Sequence, residues 1–248
     1  MVRTVAVVQA RMSSTRLPGK VLLPFAGAPL VRRVLERVAQ IPGIDEVCLA
    51  IPPGPQHRAL ADLAHGGGWR LIEGPEDDVL RRYRLAADAT GAEHLLRVTS
   101  DCPLIDPGIC GALITLIEST GLPYVRTAID TGFPLGLDAE VMNTTALHAA
   151  DGEAEDPYER EHVTPFIWRR PQRFPALLLD RRPDRRAWRL TIDMPEDYAV
   201  VRPIFETAYA ADPHFDFTWI ERYLLEHPML LAGNAHIARP AFVGLQHV

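Results

Sequence analysis

Thr4-Val5-Ala6-Val7-Val8-Gln9-Ala10-Arg11-Met12-Ser13-Ser14-Thr15-Arg16-Leu17-Pro18-Gly19-Lys20 is the stretch on which the reading of this chain turns. Val5 to Val8 form a short apolar run, bounded by polar residues and then by Ser, Pro and Gly. That is the profile of a strand buried on both faces rather than of a helix. A strand of this kind belongs to a parallel sheet, and the loop leaving it sits where such sheets bind ligands, at the carboxyl ends of their strands. The loop brings together Arg11, Arg16 and Lys20, the hydroxyls of Ser13, Ser14 and Thr15, and Gly19. Clustered cations and exposed backbone N–H groups can replace the hydration shell of a triphosphate; the competing reading is a polar surface loop. A P-loop is excluded, because Ser14 stands where that motif needs Gly and Val21 follows Lys20 where it needs Ser or Thr.

Downstream, strands and helices alternate. Pro29 opens an amphipathic helix carrying Leu30, Val34, Leu35 and Val38, which stops before Pro42-Gly43. Strands are predicted at 47–51, 70–73 and 94–98, and helices at 56–65, 77–90 and 107–119, the last opened by Pro107. This alternation predicts an α/β fold: a mainly parallel sheet with helices on both faces and right-handed crossovers. From 121 the chain breaks into short Gly/Pro-punctuated pieces such as Phe133-Pro134-Leu135-Gly136, which predict a small β-rich lobe over about 121–190. Helices are predicted again at 143–150, 158–169, 195–210 and 216–226, with a helical tail over about 211–248. Without repeats or low-complexity linkers, residues 1–248 read as one domain.

Composition narrows the function. With 47% hydrophobic and 23% charged residues in 248, the chain is globular rather than disordered, collagen-like or coiled-coil. Lys and Arg number 26 against 32 Asp and Glu, a net charge of −6 that argues against a nucleic-acid partner. The three cysteines are odd in number, and Cys102 and Cys110 lack zinc-knuckle spacing. Neither a signal-peptide core nor an apolar stretch of ~20 residues is present, so the expectation is a reduced, cytoplasmic protein with no membrane attachment.

Two carboxylates close predicted strands. Asp101 follows 94–98, and Asp193 follows the alternating Trp188-Arg189-Leu190-Thr191-Ile192. Two such carboxylates would hold one hard cation, Mg²⁺, together with phosphate oxygens. Asp193 has a second reading as the cap of the helix that begins at Pro195. Asp106 and Asp197 read as surface or capping residues. The arginine run from Arg169 to Arg189, interrupted by Asp180 and Asp184, reads as a solvated, partly paired hairpin; its sharper reading is help with an anionic acceptor or a subunit contact.

The string Gln9 to Lys20 resembles the N-terminal signature of the sugar-acid cytidylyltransferases, the 3-deoxy-manno-octulosonate and acylneuraminate enzymes, and most closely their spore-coat polysaccharide biosynthesis protein F branch. The segments Arg97–Asp106, Gly136–Val141, Arg160–Pro165 and Thr191–Tyr198 follow in the family's order, and His227-Pro228 through Asn234 is similar to that branch's tail. The resemblance therefore spans nearly the whole chain. Ser100 departs from it, standing where the branch often has Gly. What the resemblance implies is a Rossmann-like nucleotide-diphosphosugar-transferase fold and transfer of CMP from CTP to an anionic acceptor (a sugar acid, a sugar or polyol phosphate, or a phosphonate), with pyrophosphate leaving. It also implies Mg²⁺ at Asp101 and Asp193, and a homodimer. Carried over residue by residue, Arg11, Lys20, Asp101 and Asp193 are the candidate catalytic residues. Ala10, Arg11, Ser13, Ser14, Thr15, Arg16, Lys20 and Ser100 would bind the nucleotide, with Asp78 and Arg82 from the Glu73–Tyr83 segment; Asp138, Glu140 and His162 would face the acceptor. Asp78 keeps a second reading as a helix cap, and His162 as a structural helix histidine. Two rival functions remain: a glycosyltransferase using a nucleotide sugar on the same fold, and a nucleotide-binding module without catalysis.

Overall fold

The alternation of β1 (Thr4–Gln9) organises the molecule. Successive strand side chains point to opposite faces, and Val5, Ala6, Val7 and Val8 are all fully buried, so this strand needs cover on both sides. Each fully buried valine contributes about 1.5–3 kcal/mol relative to exposure. In the computed structural model, which describes residues 2–127 and 131–238, helices supply that cover. The chain continues through a hairpin, β2 (Pro24–Phe25) and β3 (Ala28–Pro29), then α1 (Leu30–Val38), β4 (Glu46–Ile51), α2 (Arg58–Gly67), β5 (Arg70–Glu73) and α3 (Val79–Thr90). It goes on through β6 (His94–Thr99), α4 (Pro107–Thr120), β7 (Tyr124–Thr127), β8 (Glu140–Asn143), α5 (Thr144–Glu153), α6 (Pro157–His162), α7 (Pro165–Trp168), β9 (Ala176–Leu179), α8 (Pro195–Ala211) and α9 (Phe217–Glu226).

Seven strands form one sheet in the order β5-β4-β1-β6-β8-β7-β9. The strands β5, β4, β1 and β6 are mutually parallel; β8 runs antiparallel to β6 and to β7, and β9 is parallel to β7. Ala6 and Val8 pack with Val34, Leu35 and Leu113 of α1 and α4 on one face. Val5 and Val7 pack with Tyr83, Ala86 and Leu147 of α3 and α5 on the other. A third apolar group joins α8 and α9 to the β2–β3 hairpin through Phe25, Phe205 and Phe217. The α/β class and the parallel sheet with helices on both faces are thus as predicted.

The structure departs from the sequence reading in informative places. Residues 121–190 add their strands to the edge of the main sheet and carry three helices besides. The helix expected over 158–169 is two helices, α6 and α7, because Pro165 has no N–H to continue the ladder. Between them Val163 adopts φ 73° and ψ −58°, and the Thr164 N–H donates to the His162 carbonyl at 2.9 Å. That is a γ-turn of the rare positive-φ hand, which strains a β-branched residue. Asp106, read as a surface or capping residue, is the N-cap of α4 and is buried: it accepts from the Ile109 N–H at 2.7 Å and from the Phe217 N–H at 2.6 Å, tying α9 to α4. Arginines of the 169–189 run are largely paired, Arg181 and Arg185 both on Glu221 (2.8 and 2.7 Å) and Arg173 on Glu153 (2.6 Å). Of the helical tail expected over 211–248, α9 and a 3₁₀ turn, Pro228–Gly233, are described; 239–248 lie outside the described residues.

Candidate active site

The loop after β1 is held by its own chain and by one buried histidine. Ala10 N–H donates to Ala50 carbonyl at 3.0 Å, Gly19 N–H to Met12 carbonyl at 3.3 Å, and Met12 N–H to His57 Nδ1 at 3.3 Å. Burial lowers the His57 pKa, which keeps that nitrogen an acceptor at neutral pH. Gly19 turns the chain at φ 67°, a left-handed conformation that costs a residue with a Cβ. Lys20 then begins a 3₁₀ turn, Lys20–Leu22, with its side chain directed inward.

The Lys20 ammonium sits in a three-oxygen clasp. It donates to Asp101 Oδ2 at 2.7 Å, Asp193 Oδ1 at 2.7 Å and the Ile192 carbonyl at 2.8 Å. Burial alone would lower the lysine pKa, but the two carboxylates outweigh it and hold it above the ordinary value. Burial likewise opposes ionisation of Asp101, and the Lys20 ammonium reverses this, holding the carboxyl below its usual range. Arg16 approaches the outer oxygen of Asp193 at 3.1 Å.

Asp193 does not cap α8. The Asp193 and Met194 N–H groups both donate to Asp197 Oδ2 at 3.0 Å. Asp197, read from the sequence as a surface or capping residue, is fully buried and does the capping. Arg189 grips it with two bonds of 2.8 Å, and Asn234 Nδ2 adds a third at 2.9 Å. This network fixes the backbone of Asp193 and leaves its carboxylate for Lys20. Gly136 closes in on the same region: at φ 106° its Cβ position lies 2.5 Å from the Leu190 backbone, so only glycine fits there. Its N–H donates to Asp138 Oδ2 at 2.9 Å.

Two cavities meet at this clasp. The first, about 250 Å³, is lined by Ala10, Arg11, Ser14, Thr15, Arg16, Lys20, Arg82, Ser100, Asp101, His162 and Asp193, together with Gln9, Val21, Val79, Arg97, Thr99 and Glu161. The second, about 330 Å³, shares Arg16, Arg97, Thr99, Asp101, His162 and Asp193, and extends to Arg126, Leu135, Asp138, Glu140, Tyr158, Thr164, Pro165 and Trp168. Two of the nucleotide candidates lie off both walls. Ser13 turns its hydroxyl to Glu76. Asp78 caps α3, accepting from the Arg81 N–H at 2.9 Å, and pairs with Arg160 at 2.6 Å.

Buried charges drawn from α3, β6, β7, β8 and the loop before β8 give both cavities their chemistry. Arg82 is buried with its Nε unpartnered, and its Nη1 reaches the Ala50 carbonyl only at 3.4 Å. Burial lowers its pKa, and the residue lines the first cavity without a closed set of hydrogen bonds. Glu140 is held by Arg97, by the Tyr124 hydroxyl and by the Thr164 hydroxyl at 2.8 Å. Although burial raises a carboxyl pKa, these partners keep Glu140 low. Asp138 has fewer partners, and burial pushes it up to about 6. His162 packs its ring against Tyr158, centroids 4.3 Å apart, and desolvation lowers its pKa. Arg97, Thr99, Glu161 and Arg126 were missed by the sequence reading. The available signal was an arginine inside each of the strand sequences His94–Thr99 and Tyr124–Thr127, since arginine is almost never buried without a reason.

A family model described as cytidylyltransferase matches residues 5–221. The chain belongs to the cytidylyltransferase family. Spore coat polysaccharide biosynthesis protein SpsF of Bacillus subtilis is 31% identical over 210 residues, 82% of this chain and 86% of that one. A 3-deoxy-manno-octulosonate cytidylyltransferase of Geobacter sulfurreducens is 37% identical over 123 residues, 49% of this chain and 47% of its own. A solved cytidylyltransferase from Leptospira borgpetersenii matches at a TM-score of 0.88 and 26% identity, covering 96% of this chain and 100% of that one. As a cytidylyltransferase the protein is a nucleotidyltransferase enzyme of the fold class read from its sequence. No helix among the described residues is long and apolar enough to cross a membrane.

The donor set bears on the metal. Among the described residues no group of three or more His, Cys, Asp or Glu side chains could hold a metal ion by itself. Asp101 and Asp193, each engaged by Lys20 through one oxygen, supply two hard oxygen donors beside the first cavity of about 250 Å³. That suits a cation which takes the rest of its coordination from phosphate and water, as Mg²⁺ does.

Proposed function

We propose that this protein transfers CMP from CTP to an anionic acceptor and releases pyrophosphate, using Mg²⁺ held by Asp101, Asp193 and the nucleotide phosphates. The observation that carries the reading is the Lys20 clasp, whose carboxylates Asp101 and Asp193 line both cavities while Lys20 faces the first. One set of charges thereby faces both a nucleotide chamber and an acceptor chamber. In the transfer an acceptor oxygen attacks the α-phosphorus in line. As the new P–O bond forms, the bond from the α-phosphorus to the α,β-bridging oxygen breaks; its electron pair leaves with pyrophosphate, and the acceptor proton passes to water.

Little covalent chemistry falls to the protein, whose task is positioning and charge neutralisation. Arg11, Arg16 and Lys20 meet the triphosphate, with Ser14, Thr15 and backbone N–H groups of the loop. Arg82 and Ser100 complete the nucleotide chamber. Asp138 and His162 face the acceptor, while Glu140 acts by orienting Arg97. Bound Mg²⁺ supplies neutralisation of the phosphoryl oxygens and orientation of the leaving group. A cytoplasmic setting agrees with three cysteines that are all buried and free of disulfides.

The test incubates the protein with each of four nucleoside triphosphates, Mg²⁺ and a panel of anionic acceptors, and measures pyrophosphate. Release with CTP, dependent on acceptor, is expected. Release of a nucleoside diphosphate from a nucleotide sugar would assign the protein to glycosyl transfer instead, and CTP binding without turnover would leave a binding module.

A further inference from the structure

Three arginines line the second cavity, and two of them are paired: Arg97 with Glu140 and Arg16 with Asp193 at 3.1 Å. Arg126 is the exception. It lies on β7, is only 4% exposed, and its Nε is buried without a partner. Among the described residues no hydrogen bond or ion pair closes on its guanidinium. Its register neighbour on β8 is Glu140, which lends it a field, but the carboxylate oxygens of Glu140 are already taken by Arg97, Tyr124 and Thr164. An arginine cannot escape burial by losing its proton, and an unpaired buried cation is costly to keep. Its planar fork matches the paired oxygens of a carboxylate or phosphate.

We propose that Arg126 is the anion anchor of the acceptor chamber. It holds a carboxylate or phosphate of the acceptor at a point remote from the attacking oxygen. The inference rests on the CMP transfer proposed above and narrows its acceptor to molecules carrying a free oxyanion in addition to the nucleophilic oxygen. Arg126 lines only the second cavity, whereas Asp101 and Asp193 line both. An anion seated on Arg126 therefore lies on the far side of the clasp from CTP, and a polyhydroxy body spanning the chamber presents its other end to the α-phosphorus. Leu135, Pro165 and Trp168 give that chamber an apolar wall against which a carbon skeleton can lie.

The full-length protein tests this with a matched set of probes: glucitol, gluconate and glucitol 6-phosphate, with inorganic phosphate alone as a further arm. Binding is read by calorimetry in the presence of CTP and the non-reacting cation Ca²⁺, and kcat and KM are read with whichever acceptors turn over. Parent protein should bind the anionic probes at least tenfold more tightly than glucitol, and the carboxylate and phosphate arms show which oxyanion is preferred. Arg126→Met should abolish that preference and raise acceptor KM ten- to a hundredfold, leaving CTP affinity unchanged. Arg126→Lys, which keeps the charge and loses the fork, should fall between. Melting temperature separates this from a structural role: removing an unpaired buried cation should hold or raise it. Lower stability in Arg126→Met with acceptor KM intact would overturn the anchor, as would parent protein binding no anion better than glucitol. Absence of pyrophosphate release with every acceptor would instead refute CMP transfer, and the binding arms would still decide the role of Arg126.

Discussion

Replacing Lys20 with Met keeps the length of the side chain and removes its charge. In the parent, two carboxylates only 21% and 16% exposed share one ammonium at 2.7 Å each. At an effective dielectric of about 20, each such contact is worth about 6 kcal/mol of gross attraction. Desolvation offsets most of it, and removing one partner of a buried pair costs about 3–5 kcal/mol net, because the remaining charge is stranded. For a chain of this size that corresponds to a drop in melting temperature on the order of 10 °C near pH 8. Two signatures distinguish this from ordinary packing loss. Acidification should recover stability in the variant, since protonating either stranded carboxylate relieves the repulsion. Millimolar Mg²⁺ or Ca²⁺ without nucleotide should raise the variant's melting temperature more than the parent's, because the cation meets two carboxylates no longer occupied by lysine. Activity should fall by roughly 10²–10³ in kcat/KM, the loss associated with one preorganised donor to developing charge. Differential scanning fluorimetry over pH and cation concentration, with pyrophosphate release, reads all three. A variant with parental stability, no added response to divalent cations and unchanged kinetics would refute the clasp as the centre of the site.

Asp193→Asn should lose most activity while keeping the apo melting temperature within a few degrees, because Asp101 still pairs Lys20, so no charge is stranded, and Asp197 rather than Asp193 caps α8; full Mg²⁺-dependent turnover would contradict its proposed role. Asp197→Asn should instead cost stability, on the order of 3 kcal/mol, because it leaves the Arg189 guanidinium buried without its counter-charge, and urea denaturation measures it. Asp138 supplies a pH test. Its pKa is about 6 in the fold against an ordinary 3.8, so the native state holds a proton that the unfolded chain has lost, and the associated stability disappears as pH rises through 6. Between pH 5 and 7.5 the parent should lose about 1.4 kcal/mol that Asp138→Asn does not, read as the difference between their urea curves at the two pH values.

What the sequence disclosed, it disclosed through local signals. The run Val5–Val8 marks a strand because burial on both faces leaves no room for a polar residue, and Pro107 and Pro195 mark helix starts because a first-turn residue needs no N–H donor. Asp101 was legible as a strand-end carboxylate; Asp193 was singled out on the same ground, but Trp188–Ile192 forms no strand, only an isolated bridge from Arg189 to Leu135, and Asp193 is placed instead by the knot around Asp197. What stayed hidden depends on partners distant in sequence. The capping of α8 and the freedom of Asp193 rest on Arg189, Asp197 and Asn234 meeting in a buried knot, and no spacing rule announces that knot. The break at Val163 had a signal in Pro165, two residues on, which the reading of one helix over 158–169 ran through. Arg126 was passed over because a lone cation in a four-residue strand reads as an edge position until its neighbours on the sheet are known.

The bond from Asn234 to Asp197 bears on how the molecule is made. Lys20 emerges from the ribosome early, Asp101 midway and Asp193 late, yet the backbone that aims Asp193 is secured by a residue close to the far end of the described chain. At about 5–20 residues per second, roughly 10–40 s separate the synthesis of the first member of this constellation from that of the last. Through that interval a nascent chain carries β1 and the loop after it without the fastening that completes them. Translation thus imposes an order on assembly: the strands can pair as they appear, and the Lys20 clasp is locked only once Asn234 has been made.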